Sequence, residues 1–250
     1  MTQPNNKNAV ITGGCGQIGY ATARRLAQDG YRIFSLVRRD LDSAQQMMNE
    51  LPNAYLEHCA ILTDVSDTQS VQQAVAQIKQ QIQHCDILVN CAGVSLPADT
   101  PMDNTDEVFD TMIAINLRGT WVVIRELIEL LEVTGNALVV NMSSMASIKP
   151  RPTSLAYSAS KAGVNAMTKS LAMTYAPRIR FVAIAPNRLI KPTSGRPGPM
   201  PEHAAQAFAS TVPMNRIITA EEIADTIEHL AHRMTYYTGQ VLVIDGGMTL

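Results

Sequence analysis

Tyr157 and Lys161 are the residues whose types and spacing first suggest chemistry; they lie four positions apart in the segment YSASK. On a helix, side chains four residues apart share one face. A phenol has a pKa of about 10, and a neighbouring ammonium lowers it by stabilising the phenolate. The pair can then donate a proton to a developing alkoxide. A surface aromatic–cation pair without a catalytic role is the alternative interpretation.

A glycine-rich loop, TGGCGQIG at 12–19, follows a short apolar run and opens an amphipathic stretch. Glycines in this context let the backbone turn tightly and approach a pyrophosphate, whose charge lies at the helix N-terminus. The loop therefore predicts a dinucleotide site, although an ordinary strand–helix turn is the alternative. The predicted contacts in the loop are Gly13, Cys15, Gly16, Gln17, Ile18 and Gly19.

The second apolar run ends in Val37, Arg38 and Arg39. An acidic residue at this strand end would bind the ribose 2′-OH of NAD, whereas an arginine pairs with the 2′-phosphate of NADP. Arg38 therefore favours NADP(H), with NAD(H) still open. The alternative is a solvated pair of charges after a strand.

Taken together, these segments resemble the short-chain dehydrogenase/reductases, and the resemblance covers nearly all 250 residues. The single-domain branch of that family has the pattern TGxxxGxG, and Gln17 stands in place of its middle glycine. Gly16 instead matches the spacing of a longer branch with an extra C-terminal substrate domain. The chain length leaves no room for that domain, so the single-domain branch is expected, with residues 1–250 forming one dinucleotide-binding and catalytic domain. Within it, 3-oxoacyl-acyl-carrier-protein reductases are the similar members.

The resemblance implies a catalytic tetrad. Ser144, thirteen residues before Tyr157, matches the serine that donates a hydrogen bond to the substrate oxygen. Asn116 matches the asparagine that holds a water for a proton relay through Lys161. Lys161 and Tyr157 would also contact the cofactor, the lysine through the nicotinamide ribose.

The resemblance also implies cofactor contacts outside the glycine loop. The implied positions are Asp64 and Val65 beside the adenine, Asn90, Ala92 and Gly93 beside the adenine ribose, and Pro186 and Leu189 near the nicotinamide. Asn187 replaces the glycine that usually follows Pro186, and asparagine is the next best residue for a left-handed turn.

The elements that must position these residues alternate between short apolar runs and amphipathic stretches. Runs that are apolar throughout, separated by helices, predict a parallel sheet covered on both faces. Right-handed crossovers then give a single-domain Rossmann fold of the α/β class, a doubly wound sheet of about seven strands. The expected strands are 8–12, 31–37, 55–62, 86–91, 136–142, 180–185 and 240–244. The expected helices are 17–29, 42–50, 68–83, two within 105–133, 155–175 and 220–232.

A stretch rich in proline and glycine resists assignment and predicts an irregular excursion at about 187–212 that covers the substrate. Basic residues are frequent around it, which suggests an anionic or carrier-linked substrate; solvated loop charges are the alternative. These residues are Lys149, Arg151, Arg188, Lys191 and Arg196.

Composition excludes several classes of protein. The net charge of −2 does not indicate binding to nucleic acid or to an anionic membrane. No apolar run approaches the length of a membrane span. The polar N-terminus and four cysteines without CxxC spacing favour a cytoplasmic protein with reduced thiols. His229 and His232 are three apart, but without further ligands they predict a surface pair, and no metal site is expected. The charged fraction is only 17%, and the resemblance implies a homotetramer with buried subunit faces.

Three functions remain open. The first is an NADPH-dependent oxidoreductase that reduces a 3-oxoacyl group or another ketone to an alcohol. The second is an NAD(P)-linked alcohol or sugar dehydrogenase running oxidatively. The third is a dinucleotide-sensing protein without turnover, which an intact tetrad argues against.

Overall fold

Seven parallel strands form one sheet in the order β3-β2-β1-β4-β5-β6-β7 in the computed structural model, which describes residues 7–96, 100–189 and 202–250. The order reverses between β1 and β4, which are hydrogen-bonded to each other. A reversal of strand order is where doubly wound sheets bind their ligands. The strands are β1 Lys7–Thr12, β2 Tyr31–Val37, β3 Cys59–Leu62, β4 Ile87–Asn90, β5 Ala137–Met142, β6 Ile179–Pro186 and β7 Gln240–Ile244.

Eight α-helices accompany the sheet in the described ranges. They are α1 Gln17–Gln28, α2 Leu41–Asn49, α3 Thr68–Lys79, α4 Asp106–Met112, α5 Thr120–Thr134, α6 Leu155–Tyr175, α7 Glu202–Ala209 and α8 Ala220–His232. Successive strand side chains point to opposite faces, so Val10 packs with α3, α5 and α6, whereas Ala9 and Ile11 pack with α1, α2 and α8. The predicted sheet with helices on both faces is confirmed.

The third strand begins at Cys59, later than the expected start at 55. Residues Ala54–Leu56 form a 3₁₀ turn between two non-glycine residues with positive φ, Asn53 and Glu57. The ring Nδ1 of His58 accepts a hydrogen bond from the backbone N of Ile33 at 3.1 Å, in place of a ladder bond. Extended structure is therefore excluded until residue 59.

The expected pair of helices within 105–133 is one continuous helical run. Its middle segment, Ile113–Gly119, winds as a π-helix between α4 and α5. Such wide turns frequently mark functional sites. Asn116 lies within this segment and is fully buried.

The excursion expected at 187–212 contains a helix that the sequence analysis did not predict, α7. Leu189 also forms a bridge with Ile218, which ties the start of the excursion to the segment before α8. The stretch 190–201, with Lys191 and Arg196, lies outside the described residues. None of the described helices has the length and apolar character of a membrane span.

Candidate active site

A cleft of about 1220 Å³ lies at the carboxyl ends of the central strands. It brings together many of the residues that the sequence singled out, because parallel strands end at the same edge of a sheet. Of the predicted site residues, it is lined by Gly13, Cys15, Gly16, Gln17, Ile18, Gly19, Gly93, Ser144, Tyr157, Lys161, Pro186 and Leu189. The others lie outside its lining.

The glycine loop is built for close backbone approach. Gly13 has φ +64°, and a Cβ on it would meet the Ala92 backbone at 3.1 Å, so the loop lies directly against the segment after β4. A Cβ on Gly19 would overlap the carbonyl oxygen of Gly13. Gly16, the N-cap residue of α1, makes no side-chain cap hydrogen bond, and it lines the cleft together with Gln17 and Ile18. A helix N-terminus beside a cleft fits a pyrophosphate.

Lys161 is buried and close to Tyr157. Its Nζ donates a hydrogen bond of 2.7 Å to the carbonyl oxygen of Met142, the last residue of β5, and lies 5.9 Å from the centroid of the Tyr157 ring. Burial lowers the pKa of the ammonium to about 8, and the neighbouring Cys91 thiol opposes that shift. Burial also raises the pKa of Cys91 to about 12, so this thiol stays protonated.

Tyr157 departs from the expected protonation behaviour. The spacing of Tyr157 and Lys161 predicts that the ammonium lowers the pKa of the phenol, but the shift is upward. Burial disfavours the phenolate and raises the pKa, and a hydrogen bond with Ser144 offsets part of that effect. The phenol is therefore protonated at neutral pH, and Ser144 is the side chain that moderates it.

Ser144 follows β5 at the start of a tight turn. Its Oγ accepts a hydrogen bond of 3.1 Å from the backbone N of Ala146, and Ser144 is buried. The hydroxyl proton of Ser144 is thereby left to donate toward Tyr157 or toward a substrate oxygen in the cleft.

Asn116 anchors the loop after β4. Its Oδ1 accepts from the backbone N of Val94 at 2.8 Å, and its Nδ2 donates to the Val94 carbonyl at 2.9 Å and to Ser160 Oγ at 3.1 Å. A Cβ placed on Gly93 would lie 3.2 Å from Asn116 Oδ1 and 3.5 Å from Lys161 Nζ. Asn116 Oδ1 and Lys161 Nζ, which belong to the predicted tetrad, therefore both lie beside Gly93.

We expect Gly93→Ala to lower kcat by about 10-fold, because the added methyl group would lie only 3.2 Å from Asn116 Oδ1 and would displace that side chain beside Lys161. Steady-state kinetics, with the melting temperature as a check on folding, measure the effect. A kcat equal to that of the wild type would show that the gap has no role in turnover.

Five predicted cofactor residues do not line the cleft. Asp64 Oδ1 accepts from the backbone N and Oγ of Ser66 at 2.9 and 2.6 Å. Asn90 is buried, and its Nδ2 donates to Asn141 Oδ1 at 2.9 Å, which joins β4 to β5. The remaining members are Arg38, which is exposed at the end of β2, and Val65 and Ala92 in the loops after β3 and β4.

Asn187 does not adopt the expected left-handed conformation. The described non-glycine residues with positive φ are Asp40, Asn53, Glu57 and Asn215. Asn187 Oδ1 instead accepts from the backbone N of Arg188 at 2.7 Å, and its Nδ2 donates to the Asp245 carbonyl at 3.1 Å. Side-chain hydrogen bonds, which a glycine cannot make, hold this turn.

The two histidines of α8 contact different carboxylates. His232 Nε2 lies 3.5 Å from Asp29 Oδ2, and His229 Nδ1 lies 3.0 Å from Glu228 Oε2. Arg25 contacts both Asp29 and Glu228, at 3.4 and 3.3 Å. Ligand-capable atoms of Asp29, Glu228 and His232 come within 4.8 Å of one another, beside the amino end of β2 and within an ion-pair cluster already held by a guanidinium.

Some cleft residues were missed by the sequence analysis. The segment Ile217–Glu221 lines the cleft from the start of α8. Thr219 and Glu222 form a capping box there, and this T-x-x-E pattern was a readable signal for the helix start. The Met142 carbonyl that binds Lys161 carries no signal in the sequence.

Fold and site together define an oxidoreductase of the dinucleotide-binding α/β class, and the chain belongs to the short-chain dehydrogenase/reductase family. The family model described as enoyl-(acyl carrier protein) reductase matches residues 15–249. The relatives act on alcohol or ketone groups, and the chain is an enzyme of that kind.

Three similar proteins illustrate the range of the family. The chain is 33% identical to a 3-oxoacyl-(acyl-carrier-protein) reductase of Thermotoga maritima, with 98% of each chain covered. It is 36% identical to glucose 1-dehydrogenase of Gluconobacter oxydans, covering 98% of this chain and 92% of that one. Among solved structures, 3-ketoacyl-(acyl-carrier-protein) reductase from Brucella melitensis complexed with NADH superimposes with a TM-score of 0.85 at 28% identity, covering 98% of both chains.

Proposed function

We propose that this protein is an NADPH-dependent reductase that converts a carbonyl group, of a 3-oxoacyl compound or another ketone, to an alcohol. The observation that carries the proposal is the cleft in which Ser144, Tyr157 and Lys161 lie together with the glycine loop. A panel of carbonyl compounds, with NADPH consumption as the readout, tests it. Absence of turnover across ketones and 3-oxoacyl thioesters would contradict it.

The proposed cofactor residues form two groups. The glycine loop, with Gly13, Gly16 and Gly19, offers the N-terminus of α1 for the pyrophosphate. The other contacts are assigned to Cys15, Gln17, Ile18, Arg38, Asp64, Val65, Asn90, Ala92, Gly93, Tyr157, Lys161, Pro186 and Leu189. The bound dinucleotide supplies the hydride that reduces the carbonyl carbon.

The chain's own residues manage the oxygen and the proton. Ser144 Oγ donates a hydrogen bond to the substrate oxygen, and Tyr157 transfers its phenolic proton to that oxygen as negative charge develops. Tyr157 is protonated at neutral pH, as a phenol ordinarily is, and burial raises its pKa further, so the proton is in place for reduction. Lys161, whose Nζ lies 5.9 Å from the centroid of the Tyr157 ring, and Asn116 are assigned the relay that returns a proton to Tyr157.

Arg38 supports the preference for NADPH. Its side chain is exposed at the end of β2, and no ion pair with a described carboxylate occupies it. We expect Arg38→Ala to weaken NADPH binding by between about 10-fold and 100-fold, since a charge-assisted hydrogen bond contributes about 1.5–3 kcal/mol. NADH binding should be unchanged.

Fluorescence titration of both dinucleotides measures this prediction, and Arg39→Ala, with the same change of charge one position further on, is the matched control. Tighter binding of NADH than NADPH by the wild type would contradict the assignment of Arg38. It would favour the NAD(P)-linked alcohol or sugar dehydrogenase, a second candidate that the similarity to a glucose 1-dehydrogenase supports.

Two of the five basic residues near the substrate loop, Arg151 and Arg188, line the cleft. Lys149 does not join them, because its Nζ donates to the Met248 carbonyl at 3.0 Å. Arg188 lies 5.8 Å from the ring of Phe208 on α7. These guanidiniums support an anionic or carrier-linked substrate, and turnover of a ketone that carries a carboxylate, compared with its methyl ester, tests that choice.

We also propose a cytoplasmic homotetramer. Large apolar side chains are exposed on α5, α6, β7 and the C-terminus: Trp121, Val133, Leu155, Met173, Val243 and Leu250. Their burial between subunits would account for the low charged fraction, and the four cysteines are all free thiols, as in a reducing compartment. Light scattering tests the assembly; a monomer mass of 27.2 kDa in solution would contradict it.

A further inference from the structure

Ser147 lies at the centre of a hydrogen-bonded group behind the catalytic cleft. It ends the turn Met145–Ser147 that follows Ser144, and its Oγ donates to the Ser144 carbonyl at 2.6 Å. Two further polar atoms approach Ser147 Oγ: Asn165 Nδ2 at 2.8 Å and Ser143 Oγ at 3.1 Å. The backbone of Ser144 is therefore linked to Asn165 on α6 through the Ser147 hydroxyl, beside a second link in which Ser143 Oγ donates to the Lys161 carbonyl at 3.3 Å.

The number of protons fixes the direction of these bonds. A serine hydroxyl has one proton, and the Ser144 carbonyl can only accept, so the proton of Ser147 is committed to that carbonyl. Ser147 Oγ must then accept from its other neighbours. An amide NH₂ group can only donate, which makes Asn165 a suitable partner; the reverse orientation of the amide would set Oδ1 against an oxygen with no proton left. Asn165 Oδ1 is buried with no partner among the described residues, which agrees with a side chain held by its donor end.

Asn165 also shares a helix with two members of the tetrad. Tyr157, Lys161 and Asn165 follow one another at intervals of four residues on α6, so they lie along the same face. The helix that sets the phenol and the ammonium thus also holds, through Ser147, the backbone of the serine that faces them. Movement of the 144–147 turn relative to α6 would change the distance between Ser144 and Tyr157.

We propose that Asn165 is a positioning residue that keeps Ser144 Oγ in place beside Tyr157. It does so by donating to Ser147 Oγ, so that the Ser147 hydroxyl donates its one proton to the Ser144 carbonyl. The inference rests on the proposed function, because it assigns Asn165 a role in the action of Ser144. Asn165 touches neither substrate nor cofactor in this role.

Asn165→Asp is the sharpest test, because it keeps the shape of the side chain and removes its donors. The new carboxylate accepts the hydrogen bond of Ser147 Oγ, which takes the hydroxyl away from the Ser144 carbonyl and leaves the bond of 2.9 Å from the backbone N of Ser147. We expect kcat for ketone reduction to fall by between about 10-fold and 100-fold, since small misplacements at a reacting centre cost factors of this size. Binding of NADPH should be unchanged. As the pH falls and the carboxyl group becomes protonated, it regains a donor, so the ratio of the variant's kcat to that of the wild type should rise.

A double-mutant cycle separates positioning from a general loss of structure. If Asn165 acts through Ser144, adding Asn165→Asp to Ser144→Ala should change kcat by less than about 2-fold. A merely structural role would instead reduce kcat by the same factor in both backgrounds, and that result would overturn the inference. Asn49→Asp, an exposed residue at the end of α2, controls for the added charge. Ser147→Ala provides a second variant with the same expectation should Asn165→Asp not fold.

The outcomes distinguish this inference from the proposed function. A Ser144→Ala variant with undiminished kcat would overturn the catalytic assignment and this inference with it. A large loss in Ser144→Ala together with full activity in Asn165→Asp and Ser147→Ala would leave the proposed function intact and overturn the positioning role.

Discussion

Tyr157→Phe is expected to reduce ketones with a kcat between about 10²-fold and 10⁴-fold below that of the wild type, the range that a positioned proton donor contributes. Phenylalanine retains the ring, which lies 5.9 Å from Lys161 Nζ, and removes only the hydroxyl that hydrogen-bonds with Ser144. Packing and cofactor binding should therefore be preserved. Single-turnover and steady-state oxidation of NADPH measure the loss.

Tyr175→Phe, at the far end of the same helix, is the matched control and should keep full activity. Undiminished turnover in Tyr157→Phe would contradict the proposed proton transfer. A biological effect that survives in a Tyr157→Phe variant without turnover would favour the dinucleotide-sensing role over an enzymatic one.

Lys161→Met should abolish turnover to a similar extent and also remove a pH-dependent part of the stability. Because burial lowers the pKa of Lys161 to about 8 in the fold, against 10.5 for the unperturbed group, the unfolded chain binds more protons between these values. The contribution of Lys161 to stability is therefore complete above pH 10.5 and is lost as the pH falls through about 8. The slope for one proton is at most about 1.4 kcal/mol per pH unit.

Denaturant unfolding of the protein without cofactor, at intervals from pH 7 to pH 10.5, measures this slope. Burial raises the pKa of the Cys85 and Cys91 thiols to about 12, which lowers stability in the upper part of this range, so the difference between the two proteins is the informative quantity. The free energy of unfolding should change less favourably with rising pH in Lys161→Met than in the wild type, by at most about 1.4 kcal/mol per pH unit. Lys169→Met, an exposed residue on the same helix, should keep the wild-type slope. Equal slopes in Lys161→Met and the wild type would show that Lys161 is not held by the fold with a lowered pKa.

Much of the architecture was predictable because the apolar periodicity is strong. The bounds of β2, α6, α8 and β7 agree with those expected, and the residues of the glycine loop share a cleft with Tyr157 and Lys161. Exceptions occur where local geometry overrides the pattern. Asn53 and Glu57 adopt positive φ without being glycine, so the run before β3 could not be distinguished from a strand.

The pKa shifts and side-chain contacts of the site were less predictable than the list of residues that line it. The direction of the pKa shift at Tyr157 depends on the balance between burial and nearby charge. The four-residue spacing from Lys161 indicates only that a charge is nearby. The contact between Asn165 and Ser147 joins a helix to a turn eighteen residues earlier, and it depends on side-chain orientations that no periodicity encodes. α7 was missed because its eight residues adjoin a stretch dominated by proline and glycine.

The strand order has a consequence for how the polypeptide acquires activity during synthesis. The centre of the sheet pairs β1 with β4, so Ala9 meets Ile87 only after the 77 residues between them have been made. Parallel pairings of this kind carry high contact order, which slows folding. The cleft also needs Pro186 and the start of α8, so its last wall emerges from the ribosome near the end of translation. A nascent chain interrupted after β4 can build half of the sheet, but it has no catalytic centre.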